Sequence, residues 1–297
     1  MRIVTMGSDH GHPLTLAALA VVNELEGVEH VDHITARDER EFLRKPRSAA
    51  FREHLAALEP DVLVSAAYAR IVPEDVLAIP SIGAINVHPS LLPDYRGVNA
   101  VWWAIYEAQP HVGVTVHEMT AEVDTGPILG QASIDVTPDT KPGAVWNNLG
   151  ELARPVLEQT LRRIRDSGSI EGTPQPAGGS YRSQPQKEAA RLELDWAQPG
   201  QELVRRHRIF PGAGNVALGR WRVFAREVET HAPTTRQPGT ILRRRPRAID
   251  VATGEGSSVR LALARPLRDW AKLLIHQTST GRFRTLPPAS SRRAGDD

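Results

Sequence analysis

The sequence predicts an α/β domain built on a mostly parallel sheet, followed by a smaller β-rich domain. Three observations carry this expectation. The first half alternates short apolar runs with longer amphipathic ones, as βαβ units do. A stretch rich in Gly, Pro, Ser and Gln, "SGSIEGTPQPAGGSYRSQPQ", then interrupts the chain. Beyond it, short strand-like runs alternate with turn residues, which suggests a small barrel or sandwich. At 297 residues the chain is long enough for two cores, since single domains cluster at roughly 100–200 residues.

In chain order, "RIVTM" reads as a strand and residues 13–26 as a helix opened by Pro13, whose missing N–H is harmless at a first helical position. "VEHVDHI" is a second strand, residues 48–58 a helix, "DVLVSAA" a buried strand, "PEDVLA" a short helix and "GAINV" another strand. A helix follows in "NAVWWAIYEA", where one of Trp102 and Trp103 is expected in the core. The strands "VGVTVHEM" and "ILGQASI" and a long helix over residues 141–165 complete a first domain, residues 1–165. Residues 166–187 show no usable periodicity and are expected to be a linker. A second domain, 188–282, holds strands in "WRVFARE", "PGTILRR", "AIDVATG" and "VRLALAR", and residues 283–297 are expected to be a disordered, basic tail.

Composition removes several classes of function. There is no Cys, hence no disulfide, thiolate metal site or cysteine nucleophile. No apolar run approaches the roughly 20 residues of a membrane helix, and the start "MRIVTMGSDHGHP" has no secretory pattern, so a cytoplasmic protein without membrane contact is expected. The net charge of +1 gives no support for nucleic-acid binding, although Arg crowds into "LVRRHRIF", "ILRRRPR" and "RFRTLPPASSRR". His10 and His12 lack a third metal ligand at known spacing, so no metal is expected, and a loop after the first strand that touches a substrate is the better reading of that pair. The same loop lacks G-x-G-x-x-G, which disfavours a nicotinamide dehydrogenase.

The chemistry concentrates in "GAINVHPSLLPDYRG". Residues i and i+2 of a strand point to one face, so Asn86 and His88 aim at one spot, and Pro89 ends the strand just beyond them. Ligands of open α/β sheets bind at that carboxyl end. The spacing alone serves two readings equally: an anchor for the loop "SLLPDYRG", or a reactive site. Asp124, in the turn Asp124-Thr125-Gly126, is an ordinary turn former by itself. Together the three supply an amide donor, a proton acceptor and a carboxylate, a complete set for acyl transfer.

"INVHPSLLPDYRG", followed 36 positions after His88 by Asp124 in "GVTVHEMTAEVDTGPIL", resembles the 10-formyltetrahydrofolate-dependent formyltransferases. The likeness runs from about Pro60 to Ile164. It implies a Rossmann-like catalytic domain and 10-formyltetrahydrofolate as formyl donor. It also implies that Asn86 contacts the formyl oxygen, that His88 stabilises a tetrahedral intermediate and moves protons, and that Asp124 pairs with His88. Tyr68, Ala69, Arg70, Ile71 and Val72 would line the pterin ring, assisted by the turn from Thr120 through Glu122 to Asp124. His117, on the strand before that turn, serves two readings equally: a residue lining the folate cleft or a packed core histidine. A neutral acceptor amine would attack the formyl carbon directly, with no metal and no covalent enzyme intermediate.

The second domain resembles the OB-type C-terminal domain of methionyl-tRNA formyltransferases and of some sugar formyltransferases, in "LELDWAQPGQELVRRHRIFPGAG", "PGTIL" and "VATGEG". Two departures matter. The segment "IFPGAG" is reduced, and "VDHITARDEREFLRKPRSAAFREHLAALEPDV" is short where the tRNA enzymes carry a longer Gly- and Lys-rich loop. The shortening favours a small-molecule amine as acceptor, an amino sugar or a peptidic secondary metabolite, with methionyl-tRNA as runner-up. A formyltetrahydrofolate hydrolase or a non-catalytic folate binder is the further alternative.

Overall fold

The computed structural model describes residues 1–8, 11–38, 40, 43, 45–137, 140, 142–183, 194–209, 216–218, 221–223 and 225–263. The chain divides into two compact units, Met1–Ser183 and Gln184–Asp297. In the first, β1 (Arg2–Gly7), β2 (Glu29–Thr35), β3 (Val62–Ala66), β4 (Gly83–His88), β6 (His111–Glu118) and β7 (Ile128–Asp135) form one sheet in the order β2-β1-β3-β4-β6-β7. The pairs β1–β2, β1–β3 and β3–β4 are parallel, whereas β4–β6 and β6–β7 are antiparallel. Every residue of β3 is buried, which is why that strand reads as an unbroken apolar run rather than as an alternation.

Helix α1 (Pro13–Glu24) buries Leu14, Ala17, Ala18, Val21 and Val22 against the sheet and against α5 (Pro142–Ser167). The buried stripe of α5 is Val145, Leu149, Ala153, Leu157, Leu161 and Ile164, spaced three or four residues apart. On another part of the core, α2 (Ala49–Ala57) is capped by Ser48, whose hydroxyl accepts the Phe51 N–H at 3.2 Å. That start brings Phe51 and Leu55 onto Val4, Met6, Ile34 and Leu63, together with Val76 from α3 (Glu74–Leu77) and Ala84 from β4. Phe51 is fully buried, so Phe51→Ala is expected to cost about 3–5 kcal/mol, read as a lower denaturant midpoint at unchanged slope.

Ala84 faces this core, and the period of two carries Asn86 and His88 onto the same face further along β4. Polar residues thus take over where the apolar cover ends. Helix α4 (Ala100–Tyr106) buries Trp103 and leaves Trp102 half-buried, so one tryptophan of the pair is core as expected.

The stretch expected as a linker departs from that expectation. Helix α5 continues to Ser167, and the chain beyond it runs along the first unit rather than away from it. Thr173 exchanges backbone hydrogen bonds with Ile128, and β8 (Tyr181–Arg182) pairs in parallel with β5 (Arg96–Gly97). A segment held by backbone pairing and a few polar side chains needs no hydrophobic period, so composition could not reveal it.

In the second unit, β11 (Ala225–Thr230), β14 (Ser258–Leu263), β13 (Ala248–Ala252) and β12 (Ile241–Arg245) form an antiparallel sheet in that order, and β9 (Val216–Leu218) pairs with β10 (Trp221–Val223). "WRVFARE" thus contains β10 and the start of β11. Helix α6 (Gly200–Ile209), absent from the sequence expectation, packs Leu203 on Val228, Ile249, Val251, Val259 and Leu261. Its arginines concealed it: Arg205 and Arg206 both bond Glu202, three and four residues back, as helical spacing allows. His10, the segment "IFPGAG" beyond Ile209 and the tail 283–297 lie outside the described residues. Among the described residues no helix is long and apolar enough to cross a membrane, and no group of three or more His, Asp or Glu is placed to hold a metal ion.

Candidate active site

Strand register builds the first part of the site. Asn86 stands opposite His117 across the antiparallel β4–β6 pair, and its amide Nδ2 lies 3.2 Å from His117 Nε2. His117 Nδ1 is 2.7 Å from the Glu118 carbonyl, to which it must donate, which leaves Nε2 to accept from Asn86. An amide nitrogen carries two N–H bonds, so one remains for a second acceptor.

His88 is buried, with Nε2 2.9 Å from the Tyr95 carbonyl and Nδ1 3.5 Å from Asp124 Oδ2. Since a carbonyl only accepts, Nε2 carries the proton and Nδ1 presents its lone pair toward the carboxylate. Burial pushes the His88 pKa down, against the upward pull of Asp124, while nearby His117 adds to the lowering. His88 is thus neutral at neutral pH, and a proton taken at Nδ1 would face a carboxylate.

Asp124 reaches His88, His117 and the Gly97 N–H from the excursion between β6 and β7. Its Oδ2 accepts the Gly97 N–H at 2.8 Å, and its Oδ1 is 3.5 Å from His117 Nε2. Burial alone would raise its pKa, but His88, His117 and the Gly97 N–H outweigh that and hold it down to about 2. The turn that aims it is tight: a Cβ on Gly126 would collide with the Glu118 carbonyl, so only glycine fits there. Thr120 and Thr125 both donate to the Glu122 carbonyl at 3.0 Å, closing the turn from within.

The structure thus sets Asn86, His88 and Asp124 around His117, through the Asn86–His117, His117–Asp124 and Asp124–His88 approaches. Sequence reasoning left His117 between the folate cleft and the core; the β4–β6 register, which no single sequence displays, sets it against Asn86.

The other expected site residues divide. Tyr68, Ala69, Arg70 and Ile71 lie in the loop after β3, with Ala69, Arg70 and Ile71 exposed. Val72, which closes the loop, is buried in the core with Val76 and Leu63. Glu122 lends the turn its carbonyl while its side chain is exposed. His12 caps α1, its Nδ1 accepting from the Leu14 N–H at 3.3 Å, and lies edge-on to Trp146. Arg96, Gln175 and Tyr95, which the sequence did not single out, hold the groups around Asp124 and His88.

Several of these features suit a flat heteroaromatic group with polar edges. Ile71 is exposed despite being apolar, as are Val98 and Val123, which flank Gly97 and Asp124. The Tyr68 hydroxyl is buried without a hydrogen-bond partner, and burial pushes its pKa up to about 12, so it stays a donor.

Comparison with known proteins identifies the family. The sequence model of the family described as Formyl transferase matches residues 31–161, and that described as Formyl transferase, C-terminal domain, matches residues 187–269. A methionyl-tRNA formyltransferase of Myxococcus xanthus is 37% identical over 226 residues, covering 74% of this chain and 70% of the relative. HypX of Aquifex aeolicus, solved with tetrahydrofolic acid, is 21% identical with a TM-score of 0.59, and the match covers 88% of this chain but only 43% of HypX. An N-formyltransferase of Helicobacter canadensis, solved with folinic acid and dTDP-3-aminofucose, is 14% identical with a TM-score of 0.59, covering 88% of this chain and 98% of that one. At such identities the two solved structures speak for the fold alone.

Proposed function

The chain belongs to the formyl transferase family, and from that premise we propose that it moves the formyl group of 10-formyltetrahydrofolate onto the amino group of methionyl-tRNA. The observation that carries the acceptor is the 37% identity to a methionyl-tRNA formyltransferase over 226 residues. That stretch is longer than the whole first unit, Met1–Ser183, so it draws on both units. It favours the runner-up of the sequence reading over the small-molecule amine.

The site residues then take these roles. Bound folate supplies the reactive formyl group. Asn86 gives its second amide N–H to the formyl oxygen, where negative charge develops as the amine attacks. His88 takes the proton that the amine loses, and Asp124 holds the resulting imidazolium. The same proton passes to the folate nitrogen as its bond to the formyl carbon breaks, so that this nitrogen leaves neutral and His88 is restored. Tyr68 through Ile71 offer the pterin backbone groups and apolar surface, with the Thr120–Asp124 turn beside them. Holding both substrates in one geometry supplies much of the remaining rate gain.

A second reading keeps a small-molecule amine as acceptor, favoured by the brevity of residues 36–48 between β2 and α2. The two part under salt. With the full-length protein and 10-formyltetrahydrofolate, tetrahydrofolate release is expected to require methionyl-tRNA. Raising salt from about 50 to 200 mM should raise the KM for tRNA by about tenfold or more, because phosphate contacts release counterions. Release with amino sugars but not with tRNA would establish the second reading, and release without any amine would indicate a hydrolase.

A further inference from the structure

We infer that residues 173–183 form a strap that positions the reactive histidine, with Gln175 as its principal positioning residue; the inference rests on the roles proposed above for His88 and Asp124. Both ring nitrogens of His88 face residues in the left-handed backbone region. Tyr95, whose carbonyl receives Nε2–H, has φ +58°, and Asp124, whose carboxylate faces Nδ1, has φ +55°. Non-glycine residues keep that conformation only where their surroundings impose it.

The strap imposes it at both places. Gln175 Nε2 donates to the Asp124 carbonyl at 2.8 Å and to the Gly126 carbonyl at 2.9 Å. Its Oε1 accepts from Arg96 Nε at 3.2 Å and from Nη2 at 2.8 Å. One carboxamide therefore ties the Asp124 turn to the loop carrying Gly97, whose N–H holds the Asp124 carboxylate. The ring of contacts closes on itself.

Tyr95 is held in the same way. Its N–H donates to Ser180 Oγ at 2.9 Å, the Arg96 N–H to the Ser180 carbonyl at 2.8 Å, and the Val98 N–H to the Arg182 carbonyl at 2.9 Å. Arg182 also pairs with Glu107, which accepts the Tyr95 hydroxyl at 2.8 Å, and its guanidinium lies over the Tyr95 ring. Gly97 has φ +90°, and a Cβ there would meet the Arg182 carbonyl, so the strap's close approach needs glycine at that point.

The test substitutes Gln175→Met, which keeps length and removes both polar ends, and separately Ser180→Ala, which removes the acceptor for Tyr95. Full-length protein labelled with 13C-histidine reports the His88 titration by NMR, its resonance identified from a His88→Gln sample. The titratable neighbours are Asp124 and His117, and both anchors of His88 favour its charged form. Loosening either anchor should move its midpoint down by roughly half a pH unit or more. In Gln175→Met, turnover at saturating substrates should fall about ten- to a hundredfold, with the acidic limb of kcat/KM following the midpoint.

A merely structural role would lower Tm and leave the midpoint and the limb in place, and that result overturns the proposal. So does an unchanged His88 titration in both variants. If Gln175→Met fails to fold, Ser180→Ala decides by the same midpoint. The NMR measurement needs no acceptor, so an error in the proposed acceptor shows only as wild-type inactivity with methionyl-tRNA.

Discussion

Asn86→Ala is expected to lower turnover about a hundred- to a thousandfold while the protein stays folded, the usual consequence of removing one donor from a developing oxyanion. The geometry explains why the fold should survive. Asn86 is half-buried, its backbone is paired within β4 on both sides, and its side chain belongs to the polar end of the face rather than to the apolar cluster around Ala84. The loss should fall on kcat at saturating substrates, because a bond that matters only as charge develops contributes little to ground-state binding. His117 Nε2 also loses the donor it accepts from, but water can enter the space vacated by the amide. Single-turnover formyl transfer together with a circular dichroism melt checks both halves of the expectation. A variant within tenfold of wild type would remove Asn86 from the reaction.

Asp124→Asn keeps the shape of the turn and an acceptor for the Gly97 N–H, and removes only the charge. Turnover should fall about a hundred- to ten-thousandfold, the range spanned by general acid–base contributions. His88 is buried, so an imidazolium formed there without a counter-charge is strongly disfavoured. In wild type, Asp124 pulls the His88 pKa up against burial; without it the acidic limb of kcat/KM should move to lower pH.

The same substitution alters acid stability in a defined direction. The Asp124 carboxyl is held at about 2, below the ordinary Asp value of about 4, so its ionised form stabilises the fold. That contribution is complete above the ordinary value and is lost as pH falls toward about 2. Asp124→Asn should therefore show a shallower loss of stability over that interval in acid titrations of the melting temperature. An unchanged acid slope together with an unchanged limb would dismiss the His88–Asp124 pair.

The legibility of this protein in its sequence follows the physics of each element. Strands such as β3, buried on both faces, advertise themselves by composition, and α5 by its stripe from Val145 to Ile164. Asn86 and His88 were legible because a period of two fixes their common face. His117 was present in the quoted motif, but its meaning lay in pairing with a strand more than twenty residues away, and register is not written locally. Val72 entered the sequence reading through the resemblance of "YARIV" alone, and its burial beside Val76 is a tertiary fact that no local pattern displays. Helix α6 was hidden by arginines whose partner, Glu202, lies on the same helix. The acceptor illustrates another limit, since one short loop pointed to a small amine whereas similarity along both units favours tRNA.

The strap also bears on modularity. The family's catalytic-domain match ends at residue 161, whereas the first compact unit ends at Ser183. The residues that steady Tyr95 and Asp124 fall between those two numbers. A catalytic module cut at residue 161 would keep His88 and lose Gln175 and Ser180, which bond the Asp124 carbonyl and the Tyr95 N–H. The compact unit that would have to be moved intact therefore ends at Ser183 rather than where the catalytic-domain match ends.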